Sequence, residues 1–268
     1  MDARPIGVFD SGLGGLTAVK ELSRILPEEN IVYFGDTGRV PYGSRSREIL
    51  RKYTRQDINF LLSQNVKMIL AACGTVSSTA PDILQSVGVP ATGVIFPTAQ
   101  AAASATRNGK IGIIGTTATI RSGSYRRELE KIDPALSVYE KDCPLFVPLL
   151  ESGFVDDNDE ITLLTAQRYL SGLRESGVDT LIMGCTHYPI ISRIISKVMG
   201  GGVMLIDSGR ETALWAARAL RESGLLAEGG GERSFFVSDY VENFSQIAEI
   251  FLGCNILSDV QRIDIEKY

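Results

Sequence analysis

Short apolar, β-branched runs alternate with amphipathic stretches along almost the whole chain. The runs are "IGVFD" from 6, "IVYFGD" from 31, "MILAAC" from 68, "ATGVI" from 91 and "IGIIGT" from 111, then "LSVYEKD" from 136, "TLIMGC" from 180, "VMLIDS" from 203 and "SFFVSD" from 234. Runs of this length, rich in Val, Ile and Phe, predict strands. Between them, "LTAVKELSRIL" from 16, "REILRKYTRQDINFLLSQ" from 47, "DEITLLTAQRYLSGLRES" from 159 and "ETALWAARALRESG" from 211 carry the helical period. Strand and helix in alternation predict an α/β fold with a largely parallel sheet covered by helices on both faces. Ligands of such sheets bind beyond the carboxyl ends of the strands.

The polar signals fall at those ends. "FDSGLGGLT", "FGDTGRVPYGS", "ACGTVSS", "IGTTATIRSGS", "GCTHYP" and "IDSGRETA" each follow a predicted strand, so six loops of Ser, Thr, Gly and Asp are expected to converge on one cleft. Asp-Ser-Gly occurs at 10 and again at 207, and Cys-x-Thr at 73 and again at 185, which hints at two related halves. "EGGGER" and "DDNDE" read as surface loops. "GLGG" at 12 misses the dinucleotide pattern G-x-G-x-x-G, because Thr17 stands where the third glycine belongs.

Composition narrows the partners. The chain has 268 residues, 44% hydrophobic and 22% charged, with a net charge of -5. Its cations are interspersed with acids, so no basic stripe offers itself to nucleic acid or to an anionic membrane. No apolar run approaches the roughly 18 residues of a membrane helix, and the first is too short for a signal sequence. A cytoplasmic protein with a small-molecule partner is expected. Four cysteines, at 73, 143, 185 and 254, lack short metal-ligand spacing and are expected to be free thiols. With His187 the one histidine, zinc chemistry is not expected and no metal site is assigned.

A buried core thiol is the ordinary reading of either Cys73 or Cys185 taken singly. Both, however, are expected at the last position of a strand, with a helix one or two residues later whose N-terminal field favours a thiolate. Thr75 and Thr186 are the expected N-caps of those helices. Two such loops facing across a cleft would set one sulfur on either side of a small molecule, the geometry for removing a proton from one face of a carbon and returning one to the other. His187, two residues from Cys185, would share its face if strand geometry persists. Asp10 in Asp-Ser-Gly is as readily a turn residue as a functional one. Cys143 and Cys254 lack the shared context and are expected to be structural.

In their order, "GVFDSGLGGLT", "YFGDTGRVPYGSRS", "AACGTVSS", "GTTATIRSGSY" and "GCTHYP" resemble the signature loops of bacterial glutamate racemases, cofactor-independent members of the aspartate/glutamate racemase superfamily. The resemblance runs from about residue 6 to about 213. It implies two similar α/β domains with the active site in the cleft between them: residues 1–96 with 208–268, and the inserted 97–207. It implies interconversion of L- and D-glutamate without cofactor, supply of D-glutamate for peptidoglycan, and a homodimer. Catalytic roles would fall on Cys73 with Asp10 on one face, and on Cys185 with His187 and Glu151 on the other. Substrate contacts would come from Asp10, Ser11, Pro41, Tyr42, Gly43, Ser44, Gly74, Thr75, Thr117 and Thr186. Gly74 departs from the family's Cys-Asn-Thr, removing a side-chain amide. That motivates a second expectation, a racemase of aspartate or another small amino acid. A third is a non-catalytic two-lobed protein that closes on an acidic metabolite.

Overall fold

A computed structural model describes residues 2–239, 244–253 and 260–268. In chain order the elements are β1 (Ile6–Asp10), α1 (Leu16–Ile25), β2 (Ile31–Gly35), α2 (Arg47–Ser63), β3 (Met68–Ala71), α3 (Gly74–Thr79), α4 (Pro81–Gln85), β4 (Ala91–Gly93) and α5 (Ile95–Ala105). There follow β5 (Lys110–Gly115), α6 (Thr117–Ser122), α7 (Ser124–Ile132), β6 (Ser137–Asp142), α8 (Phe146–Glu151), α9 (Glu160–Glu175), β7 (Thr180–Met183), α10 (Ser192–Met199) and β8 (Met204–Asp207). The chain ends with α11 (Ser208–Glu222), β9 (Arg233–Val237), α12 (Phe244–Leu252) and β10 (Val260–Arg262).

The strands form two sheets rather than one, and every pairing is parallel. The first lobe has six strands in the order β10-β9-β2-β1-β3-β4, the second four in the order β6-β5-β7-β8. Positions in β1, β2, β3 and β7 are buried throughout, as expected for strands covered on both faces. Ile6, Val8, Leu70 and Tyr33 face α1 and α11, while Phe9, Phe34 and Ile69 face α2. In each lobe the chain order reverses at the centre of the sheet, between β1 and β3 and between β5 and β7. Loops leaving the carboxyl ends of two strands at such a reversal diverge, which opens the crevice that binds ligand. Asp10 and Cys73 follow one reversal, Thr116 and Cys185 the other.

Local chemistry explains the boundaries. Ser46 caps α2 by accepting from the Ile49 amide, Thr116 caps α6 by accepting from Thr119, and Asp159 caps α9 by accepting from Thr162. The run "ATGVI" yields only the three-residue β4, because α5 starts at Ile95. Pro97 falls in the first turn of α5, where a missing N–H costs no helical bond.

Two expectations about the cysteine loops are corrected. The Ala72 amide still donates to the Phe9 carbonyl (2.8 Å), but the chain then leaves the ladder, so Cys73 lies beyond its strand and is itself the N-cap residue of α3. Cys185 likewise lies two residues past β7. Thr75 is therefore inside the first turn of α3, and Thr186 precedes the 3-10 turn Tyr188–Ile191, so neither threonine caps. The expected sixth loop also does other work. Asp207 turns its carboxylate onto the amides of Gly209 and Arg210 (2.8 and 3.1 Å), starting α11 at Ser208, and that helix crosses to pack on α1 of the first lobe. Asp10 and Asp207 share a triplet but not a role. Among the described residues no helix is long and apolar enough to cross a membrane.

Candidate active site

The carboxyl ends of the two sheets enclose a cavity of about 560 Å³. From the first lobe it takes Asp10 and Ser11 after β1, Pro41, Tyr42 and Gly43 after β2, and Cys73, Gly74 and Thr75 after β3. From the second it takes Thr117 after β5, Glu151 at the end of α8, and Cys185, Thr186 and His187 after β7. Every residue given a catalytic or substrate-binding role from the sequence is thus brought to one cavity except Ser44. It closes the 3-10 turn Tyr42–Ser44, and its side chain lies outside the described atoms, as does the whole of Cys254.

On the first-lobe side three groups are in series. The Cys73 thiol donates to the Ser11 hydroxyl (3.4 Å), and that hydroxyl donates to Asp10 Oδ1 (3.5 Å). The other oxygen of Asp10 accepts from the Gly15 amide (2.8 Å) at the start of α1. Burial pushes the Asp10 carboxyl up, against the pull of the His187 charge and of the Gly15, Ser11 and Gly12 amides. Burial, with the Asp10 charge beside it, pushes the Cys73 thiol up to about 12. The expectation that a helix N-terminus favours the thiolate is therefore overturned at Cys73. The cap position supplies the Val76 amide, but loss of water around a 5% exposed sulfur outweighs it.

On the second-lobe side the series is Cys185, His187, Glu151. Cys185 Sγ lies 3.8 Å from His187 Nδ1, and His187 Nε2 donates to Glu151 Oε1 (2.9 Å). This contact does not come from strand geometry. His187 is in helical backbone, and the turn after β7 brings the ring back over the sulfur. Burial draws the imidazole down, but its bonds to Cys185 and Glu151 prevail and hold it up to about 10.

The remaining walls are quiet. Tyr42 donates its hydroxyl to buried Asp36, which with Asp57 is bound by Arg39 (2.6 and 3.0 Å), so the Pro41–Gly43 segment is anchored from beneath. Thr117 donates to Asp142 (2.9 Å). Val40, Val147, Pro148 and Ile247 give apolar surface, and Cys143, fully buried, also borders the cavity. Sequence reading missed these. Val147 and Pro148 share the "PLLESG" neighbourhood of Glu151, but Ile247 reaches the site from a C-terminal helix with no polar motif to mark it.

Two thiols on opposite lobes, each with its own acid/base partner, fit proton exchange at a carbon held between them. A family profile described as Asp/Glu/Hydantoin racemase matches residues 18–216. The chain belongs to that family. It is accordingly an isomerase. The glutamate racemase of Geobacter metallireducens is 45% identical over 99% of this chain and 98% of its own. The crystal structure of the Francisella tularensis glutamate racemase in complex with D-glutamate superposes with a TM-score of 0.92 at 39% identity, covering 100% of both chains. That of the Thermus thermophilus glutamate racemase in complex with beta-chloro-D-alanine gives 0.89 at 43%, again over 100% of both. Within this racemase family the two-lobed arrangement with its central cleft is thus shared along the full length.

Proposed function

We propose that the chain is a cofactor-independent glutamate racemase in which Cys73 and Cys185 exchange the α-proton on opposite faces of the substrate. The observation that carries this reading is the pair of thiols on opposite lobes of one cavity, each wired to a different acid/base group. Asp10 takes the Cys73 proton by way of the Ser11 hydroxyl, and a carboxylate made more basic by burial is the better acceptor. A thiolate whose conjugate acid sits at about 12 is a stronger base than an ordinary one, which narrows the gap to a weakly acidic α-proton. As Cys73 removes that proton, Cys185 delivers its own to the other face. His187, held up by its bonds to Cys185 and Glu151, restores the Cys185 proton while Glu151 fixes the ring. The reverse direction uses the same groups in the opposite order.

Substrate contacts fall to Ser11, Pro41, Tyr42, Gly43, Ser44, Gly74, Thr75, Thr117 and Thr186. No Lys or Arg is among the described lining, so hydroxyls and backbone amides, with the imidazolium, hold the carboxylates. We place the first lobe at residues 1–96 and 208–268 and the second at 97–207. The same reading has the enzyme in the cytoplasm, as a homodimer, supplying D-glutamate for peptidoglycan. Circular dichroism of L-glutamate with purified protein and no added cofactor tests the activity. Decay of the signal to zero is expected. Decay with aspartate but not glutamate would move the substrate, and binding without decay with either would leave only a binding protein.

A further inference from the structure

The two thiol sites are built differently. Asp10, Ser11 and Cys73 all belong to the first lobe, so that half is complete within one rigid unit. Cys185, His187 and Glu151 belong to the second lobe, but the imidazole is enclosed by the first. Gly14, buried at the start of α1, lies directly on the ring edge: a Cβ there would be 2.3 Å from His187 Nδ1 and 2.5 Å from Cε1. Phe251 of α12, 1% exposed and part of the first-lobe core, meets the ring edge-to-face at 5.0 Å and 88°. One turn earlier on the same helix, Ile247 borders the cavity. Thr17 of α1 donates to the Thr186 carbonyl (2.8 Å), fastening the residue before His187 across the cleft.

We propose that Gly14 and Phe251 form a first-lobe socket that receives His187 when the lobes meet and holds its ring in line between Cys185 and Glu151. Both are positioning residues for the second thiol. The physical requirement is orientation. The ring must aim Nδ1 at sulfur and Nε2 at the carboxylate, and its own loop fixes the backbone but not the ring rotation. A bare glycine lets the two chains approach within contact of the ring edge, and the aromatic face opposes rotation. The Cys73 half is then built from first-lobe residues alone, whereas the Cys185 half depends on contacts from the other lobe.

This inference rests on the proposed racemase reading and is tested on substrates that need a single deprotonation. Each enantiomer of threo-3-chloroglutamate loses chloride once its α-proton is removed, the C–H electron pair forming the Cα–Cβ double bond of an enamine, so each reports on one thiol, and Cys73→Ser and Cys185→Ser assign which. In Phe251→Leu, which leaves the substrate contacts untouched, chloride release from the Cys185-dependent enantiomer is expected to fall by about tenfold or more. Release from the Cys73-dependent enantiomer is expected to stay within about twofold, the ratio being independent of the folded fraction. A parallel fall with both enantiomers would show a merely structural role, and unchanged release with both would show no role; either overturns the socket. If the unsubstituted enzyme processes neither enantiomer, the racemase reading fails instead.

Discussion

Gly74→Ala should weaken the reaction without strengthening the fold. Gly74 opens α3 on the first lobe, and a Cβ there would stand 2.7 Å from the Gly184 carbonyl oxygen of the second lobe and 3.1 Å from Thr119 Oγ1. The carbonyl is backbone and cannot rotate aside. Ordinary contact distances of ~3.5 Å require the lobes to separate locally by about 0.5–1 Å. Misplacement of that size between reacting groups costs about ten- to a hundredfold in rate. Helix propensity pulls the other way, since Ala gains about 0.5–1 kcal/mol over Gly within a helix. The clash with a backbone oxygen costs about 1–3 kcal/mol, which offsets that gain, so Tm holds or falls by about 1–6 °C. The assay pairs a thermal melt with racemisation followed by circular dichroism in both directions. An unchanged or slightly lowered Tm with kcat/KM down by about tenfold or more is expected. Wild-type kcat/KM in Gly74→Ala would refute the idea that a bare backbone at this point sets how closely the two thiols approach.

Ser11→Ala removes the hydroxyl between Cys73 and Asp10, so kcat should fall by about ten- to a hundredfold while the melting temperature holds; unchanged kcat would show that Asp10 acts without it. With its pKa near 12 against an ordinary 9.0, the Cys73 thiol is less ionised at pH 8 although its thiolate is the stronger nucleophile, so it should react with iodoacetamide at least about thirtyfold more slowly than a free thiol, read by peptide mass after timed quenching. Labelling at the free-thiol rate would contradict this. For His187 the folded pKa is raised, from 6.5 to about 10. Its contribution to stability is therefore complete below about 6.5, declines as pH rises, and is lost above about 10. Urea unfolding of wild type and His187→Asn between pH 6 and 10 should show the two curves converging with rising pH, and a constant gap would remove the linkage.

The strand and helix rhythm was legible because fully buried parallel strands must be apolar almost throughout, and β1, β2, β3 and β7 are, Asp10 and Thr180 excepted. The cleft was legible because its loops are polar where their strands are not. Four things were not. Cap positions depend on where the ladder ends, and Ala72 extends its bond to Phe9 one residue before the turn, which put the cap on Cys73 and not Thr75. The triplet at 207 has the same letters as that at 10, yet only the tertiary path of α11 decides that its carboxylate serves helix amides. The environment of Cys73 was misjudged for a related reason: a helix N-terminus is a local feature, whereas this thiol is raised by burial in the surrounding core and by the charge of Asp10. Phe251 and Ile247 carry no local mark at all, since their relation to His187 exists only across the closed cleft.

The central claim is that two different thiols serve the two faces of one carbon. Its most direct test is racemisation of L-glutamate in D₂O, stopped at low conversion, with deuterium at the α-carbon measured separately in recovered L-glutamate and in the D-glutamate formed. A thiol holds one proton, so Cys73 or Cys185 acting as base keeps what it removes, and the opposite thiol delivers a solvent deuteron. Fully deuterated D-glutamate beside undeuterated L-glutamate is the predicted result. Deuterium entering both enantiomers equally from the start would mean one base works on both faces and would contradict the account.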